Sequence, residues 1–255
     1  MNAAAIEQRS RTQVAVEVVG QTGSTNADLL ARAASLEGPV LLVAEHQTAG
    51  RGRAGRSWLS APGDSLTFSL AWKFDLPLQQ LAGLPLAVGV ALADALAACG
   101  VQVQLKWPND VLKDGSKLAG VLIETQAAPG GGIWAVIGIG MNLRMPDELE
   151  ERIGRSVAAA PWLAQMDRDD LMAAILASLA AALGEFRQAG FGAFSARWNR
   201  LHAWQGRRVA ILDNGAVLHD GIAAGVDDSG RLLLDCAEGR ITVLAGDVSL
   251  RTRED

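Results

Sequence analysis

Arginine and glycine interleave in the segment from 50 to 58, GRGRAGRSW, which sets Arg51, Arg53 and Arg56 among Gly50, Gly52 and Gly55 and closes on Trp58. Glycine lets a backbone come close to a ligand and take positive φ, and guanidinium groups hold phosphates and carboxylates through paired planar hydrogen bonds. Such a run suits the gripping of an anion. An exposed basic turn has the same composition, so the loop alone does not decide. Nor is it a phosphate loop of the GxxxxGK[ST] kind, because no Lys followed by Ser or Thr stands at the required place.

Several elements must position this loop. Ser24, Thr25 and Asn26 precede the apolar positions Leu29, Leu30 and Ala33, which predicts a capped helix start. Residues 39–45 (PVLLVAE) read as a strand that delivers His46, Gln47 and then the loop. In the next segment Leu66, Phe68, Leu70 and Trp72 alternate with Ser65, Thr67, Ser69 and Ala71, the period of a strand with one buried face. A buried helix is expected from about Leu81 to Ala98, with Pro85 in its first turn and Gly100 as its stop. Val101–Lys106 and KLAGVLIE read as strands around the turn KWPND, and IWAVIGIGMNL as a central strand. Leu171, Ile175, Leu179, Leu183 and Phe186 form the stripe of an amphipathic helix between Asp167 and Gly190. After Trp204 short apolar runs alternate with Asp213-Asn214-Gly215, Asp228-Ser229-Gly230 and Glu238-Gly239, which predicts a small antiparallel barrel of about fifty residues. The expected division is residues 1–205 and 206–255.

The 255 residues are 49% apolar and 20% charged, enough for a full core. The net charge of −5 argues against general affinity for nucleic acid or anionic membranes, which makes the arginine loop a local positive spot. Cys99 and Cys236 belong to no CxxC spacing and read as buried free thiols in a reducing cytoplasm. His46, His202 and His219 are too scattered for a zinc motif or a Ser-His-Asp triad. Residues 1–13 lack the apolar core of a secretory signal, and Gly, Pro or charge interrupts every apolar stretch of membrane-spanning length. A cytoplasmic protein without membrane attachment is expected.

Taken in order, GSTN (23–26), EHQTAGRGRAGRSW (45–58), KWPND (106–110), KLAGVLIE (117–124) and GIGMNL (138–143) resemble the biotin protein ligases over roughly residues 14 to 255. The resemblance implies an α+β fold, a mixed sheet with flanking helices like that of class II synthetases, followed by an SH3-like β-barrel. It implies two acyl-transfer steps: biotin and ATP with Mg²⁺ give biotinyl-5′-AMP, and a lysine of the biotin carboxyl carrier protein of acetyl-CoA carboxylase then attacks the anhydride. By that resemblance Ser24, Thr25, Asn26, Gln47, Gly50, Arg51, Gly52, Arg53 and Lys117 hold biotin. Arg53, Arg56, Trp58, Asn109, Lys117 and Asn142 hold the nucleotide. Arg53, Lys117 and Asp110 are the catalytic candidates, with Asp110 orienting the incoming amine, helping to hold Mg²⁺, or only capping a turn. Metal ligands are not otherwise identified. Trp72, Leu122, Gly120 and Gly138 are pocket walls or core, Glu124 a strand-end charge, and Arg251 a bridge between domains. The residue types support this chemistry, since clustered cations reduce the repulsion between a carboxylate and a phosphate.

Some members of the family begin with a DNA-binding winged helix. Here the first motif already stands at Gly23, so no DNA binding is expected. Lipoate ligases resemble the same fold, but the arginine loop and C-terminal unit favour biotin. A binding module without catalysis would need neither Lys117 nor Asn142. The sequence leaves the oligomeric state open, a homodimer included.

Overall fold

Strand signals and helix stripes assemble around one mixed sheet. The computed structural model describes residues 1–153, 157–213, 216–245 and 248–252. After helix α1 (Ala3–Ser10) come β1 (Ala15–Thr22), α2 (Thr25–Arg32), β2 (Val40–Gln47), β3 (Ser65–Phe74) and α3 (Leu84–Ala98). The strands β4 (Gln104–Lys106), β5 (Asp110–Lys113), β6 (Ser116–Ala127) and β7 (Ile133–Asn142) complete the sheet. Its order is β1-β2-β3-β7-β6-β5-β4, with β1 parallel to β2 and every other pair antiparallel.

One face of this sheet is an apolar core. Ile137, Ile139 and Met141 of β7 and Leu66, Phe68 and Leu70 of β3 pack into it with α3 and the long helix α5 (Arg168–Ala189). Asp167 caps α5 by accepting from the backbone of Asp169 and Asp170, and Leu171, Ile175, Leu179, Leu183 and Phe186 are buried along it as their spacing predicts. Helix α3 is apolar all round because it lies inside, with Pro85 in its first turn and Gly100 at φ +79° ending it. By length and composition the stretch Leu78–Ala98 could cross a membrane, although Gly83, Pro85, Gly89 and Asp94 interrupt it as expected from the sequence. Its burial, 72% of the window, accounts for the apolarity instead.

The opposite face carries α2 over a smaller cluster of Leu29, Leu42, Trp134 and Val136. Beyond α2 this face is polar or glycine-lined. Here the expectation for β3 is corrected: Ser65, Thr67 and Ser69 are buried to 1% exposure or less rather than facing solvent. Val101–Val103 is likewise outside β4, because only residues 104–106 find a partner strand.

Helices α4 (Asp147–Ile153) and α6 (Gly192–Leu201) precede the second sheet. That sheet comprises β8 (Arg208–Asp213), β9 (Ala216–Val226), β10 (Leu232–Cys236), β11 (Gly239–Val243) and β12 (Val248–Thr252), antiparallel in the order β11-β10-β9-β8-β12. This is the small SH3-like unit. It is joined to the rest by Asn199, which exchanges hydrogen bonds with the backbone of Val226, by Ser195 donating to Asp228 at 2.7 Å, and by the Trp107 indole donating to Gly230 O at 3.2 Å. The turn Asp213-Asn214-Gly215 falls partly outside the described residues.

Candidate active site

The site begins where β7 lacks side chains. Gly138 and Gly140 alternate with Ile137, Ile139 and Met141, so both glycines face away from the apolar core. A Cβ on Gly138 would collide with the Asn26 amide and one on Gly140 with the Trp58 indole. Across the ladder Gly140 pairs with Gly120 and Gly138 with Leu122, which extends the bare floor onto β6.

Over this floor α2 brings in its first turn. Ser24 caps the helix, and Thr25 donates its backbone N–H to Gln47 Oε1 at 2.8 Å. The Thr25 and Ser69 hydroxyls lie 2.6 Å apart, and Ser69 donates to Asn26 Oδ1 at 2.6 Å. Asn26 Nδ2 donates to Glu124 at 2.8 Å, which fixes the amide orientation because an ionised carboxylate only accepts. A polar network of this kind is stable in a buried place only when its members are satisfied. Sequence reasoning missed Ser69 and gave Glu124 no role. The signal for Ser69 was present: a small hydroxyl in a strand whose neighbours on both sides are central.

The arginine loop forms a short hairpin. Arg51 bridges Ser57, Trp58 N donates to Gly50 O at 2.8 Å, Gly52 N donates to Arg56 O at 2.7 Å, and Ala54 and Gly55 turn the chain at positive φ. Its tip folds back over the floor. Arg51 pairs with Glu124 at 2.9 Å, and Arg53 donates to Asn109 Oδ1 at 3.1 Å while Asn109 Nδ2 donates to Val121 O at 2.7 Å. Trp58 lies over Gly140, with the Lys117 ammonium 5.7 Å from its ring centre and its own indole N–H buried without a partner.

Lys117 and Trp58 stand where three cavities meet. The first is lined by Ser24, Thr25, Asn26, Gln47, Arg51, Gly52, Arg53, Ser69, Gly120, Leu122 and Gly138. A second is lined by Arg53, Arg56, Lys106, Asn109, Asp110 and Arg251. The third is lined by Arg56, Leu59, Asn142, Arg152, Ile153 and Val157. Lys117 Nζ lies 2.5 Å from Asp110 Oδ1. Asn142 Nδ2 donates to Ala158 O at 3.1 Å and to Lys117 O at 3.5 Å, which seats the segment after residue 156 against the Lys117 backbone. The structure thus brings the expected polar and charged residues around one cleft, with Gly50 at the loop's base. Trp72 lies elsewhere, in a cavity at the opposite end of the sheet with Trp134 and Arg187.

Residues 17–142 match the model of the biotin/lipoate A/B protein ligase family, and residues 206–251 match that of the biotin protein ligase C-terminal domain. The biotin--[acetyl-CoA-carboxylase] ligase of Mycobacterium tuberculosis is 40% identical over 245 residues, spanning 91% of this chain and 88% of that one. The chain belongs to the biotin protein ligases. The bifunctional ligase/repressor BirA of Escherichia coli is 35% identical across 94% of this chain and 75% of its own. A solved biotin protein ligase of Aquifex aeolicus, in complex with biotin and ATP, superposes with a TM-score of 0.78 at 28% identity, over 93% of this chain and 99% of that one. For a biotin protein ligase the three-chambered cleft is the natural candidate active site, because both family matches contribute residues to it: the first, over residues 17–142, includes its lining from Ser24 to Asn142, and the second, over residues 206–251, supplies Arg251.

Proposed function

We propose that the cleft forms biotinyl-5′-AMP from biotin and ATP and transfers biotin to a lysine of the carrier protein of acetyl-CoA carboxylase. The meeting of three unlike chambers at Lys117 carries this reading. A neutral ureido ring needs neutral donors and acceptors, which Ser24, Thr25, Asn26, Gln47 and Ser69 supply. Arg53, Arg56, Lys117 and Arg251 supply positive charge for the phosphates. Trp58 and Asn142, with Val157, offer a flat aromatic and polar wall to the base.

In the first step a biotin carboxylate oxygen attacks the α-phosphorus, and pyrophosphate leaves with the electron pair of the broken P–O bond. Lys117 and Arg53 reduce the repulsion between the two anions and stabilise charge as it shifts to the leaving group. In the second step the neutral ε-amine of the carrier lysine attacks the acyl carbon, AMP departs, and the nitrogen loses a proton. Asp110, beside Lys117, orients that amine. No protein nucleophile is needed.

Mg²⁺ would enter with the ATP phosphates, where it would neutralise phosphate charge. The donor set of this chain does not build a site for it: Asp110 lies between the ammonium groups of Lys106 and Lys117, and among the described residues no three His, Cys, Asp or Glu side chains converge. The reading includes a cytoplasmic location, with residues 1–205 as catalytic domain and 206–255 as C-terminal domain, whose Leu250 and Arg251 line the phosphate chamber. It includes no DNA or membrane partner, in keeping with the net charge of −5, and leaves a homodimer open. Intact-mass analysis of a carrier domain incubated with the protein, Mg-ATP and biotin is the test: one biotin adduct on one lysine is expected. No adduct, with lipoate accepted instead, would overturn the reading.

A further inference from the structure

The Asp110 carboxylate is divided between two ammonium groups. Its Oδ1 lies 2.5 Å from Lys117 Nζ and its Oδ2 lies 3.7 Å from Lys106 Nζ. All three side chains are withdrawn from solvent, at 13% exposure for Lys106, 17% for Asp110 and 19% for Lys117. Charges so placed are costly unless balanced. Lys106 ends β4 and pairs in register with Asp110, which begins β5, so the backbone itself brings these two side chains together. On its other side the Lys106 ammonium lies 4.7 Å from the centre of the Trp204 ring, within cation–π range. Trp204 follows α6 in a segment docked on β4, where Ala203 N donates to Leu105 O at 2.9 Å.

The chemistry proposed above, on which this inference rests, requires Lys117 at the biotin carboxylate and the α-phosphate. The Lys117 ammonium has three N–H donors and can serve an anionic substrate beside Asp110, but its single charge is then shared between two anions. A resident counter-ion beside Asp110 offsets that sharing. We propose that Lys106, steadied by Trp204, is a positioning residue that keeps Asp110 charge-balanced and in place while Lys117 turns to the substrate. Lys106 acts through Asp110, and Trp204 links the segment leading into the C-terminal sheet to the reacting centre.

The test compares wild type with Lys106→Met, Lys106→Arg, Trp204→Leu and the Lys106→Met/Trp204→Leu double variant. Biotin-dependent pyrophosphate release and biotin binding without ATP are measured for each, and thermal unfolding shows that each variant is folded. Wild-type pyrophosphate release tests the functional reading separately. Lys106→Met is expected to lower kcat for adenylate formation about tenfold or more while biotin affinity stays within about twofold. Lys106→Arg should recover most of that loss. Trp204→Leu should slow the same step by less, and the double variant should be no slower than Lys106→Met, because both changes act through one contact. Wild-type kcat in Lys106→Met, an equal loss of biotin binding, or multiplied losses in the double variant would each overturn the proposal.

Discussion

The two faces of the seven-stranded sheet are built from alternate residues of the same strands and do opposite work. On β7, Ile137, Ile139 and Met141 fill the core under α3 and α5, while Gly138 and Gly140 leave the other face bare. On β3, Leu66, Phe68 and Leu70 oppose Thr67 and Ser69 in the same way. The apolar face gains stability from close packing. The bare face gives up side-chain burial at each glycine, and the space so opened receives Asn26 and Trp58 and, in the proposed function, the substrate. What reads as a weakness in strand propensity is therefore the mark of the site.

Substitutions on the two faces should separate function from stability. The largest effect is expected at the meeting point of the chambers: Lys117→Ala should slow adenylate formation by about 10²–10³ with the fold intact, measured as pyrophosphate release and thermal unfolding. Arg53→Gly removes a charge-assisted contact worth about 1.5 to 3 kcal/mol, so biotinyl-AMP should dissociate about ten- to a hundredfold faster and label bystander lysines. Retention as tight as wild type would remove Arg53 from the list of holding groups. Ser69→Ala leaves the buried Asn26 Oδ1 without its Ser69 donor, at a cost of about 1–3 kcal/mol that should appear in biotin affinity. Its counterpart on the apolar face, Ile137→Val, should cost about 0.5–1.5 kcal/mol of stability and leave biotin affinity alone. Calorimetry of biotin binding beside urea unfolding checks this pair, and equal losses of affinity in both would erase the distinction between the faces.

The smallest effect concerns His202, away from both faces. Burial holds its imidazole below its ordinary pKa against the opposing hydrogen bond with Gln205, and its Nε2 has no partner. The unfolded chain therefore binds a proton that the folded chain refuses. Stability should be full above about pH 6.5 and should decline as the pH falls below it, levelling out only below the depressed folded pKa. The melting temperature of His202→Gln should fall less than that of wild type between about pH 7 and about pH 5, the range in which imidazoles titrate.

Local patterns exposed much of this architecture before any contact was known. The cap at Ser24, the stripe of α5 and the punctuation of α3 by Pro85 and Gly100 are properties of neighbouring residues, and each stands where its pattern places it. The arginine loop was legible for the same reason. Ser69 was not, because its partners Thr25 and Asn26 lie 44 and 43 positions away and meet it only through strand order. Glu124 looked like a strand-end charge until the fold set Arg51 and Asn26 against it. Helix α1 gave little apolar periodicity, and Arg9 ties it to α5 through Asp167 and Asp170. Lys106 was visible within KWPND, but its link to Trp204 depends on the docking of a segment almost one hundred residues later.

The most direct test of the account is a crystal structure with biotinyl-5′-AMP bound. The account predicts the ureido ring against Thr25, Gln47 and Ser69, the acyl phosphate within hydrogen-bonding distance of Lys117 Nζ, and the base beside Trp58. A ligand seated away from the Gly138–Gly140 floor, as in the cavity lined by Trp72, Trp134 and Arg187 at the other end of the sheet, would contradict it.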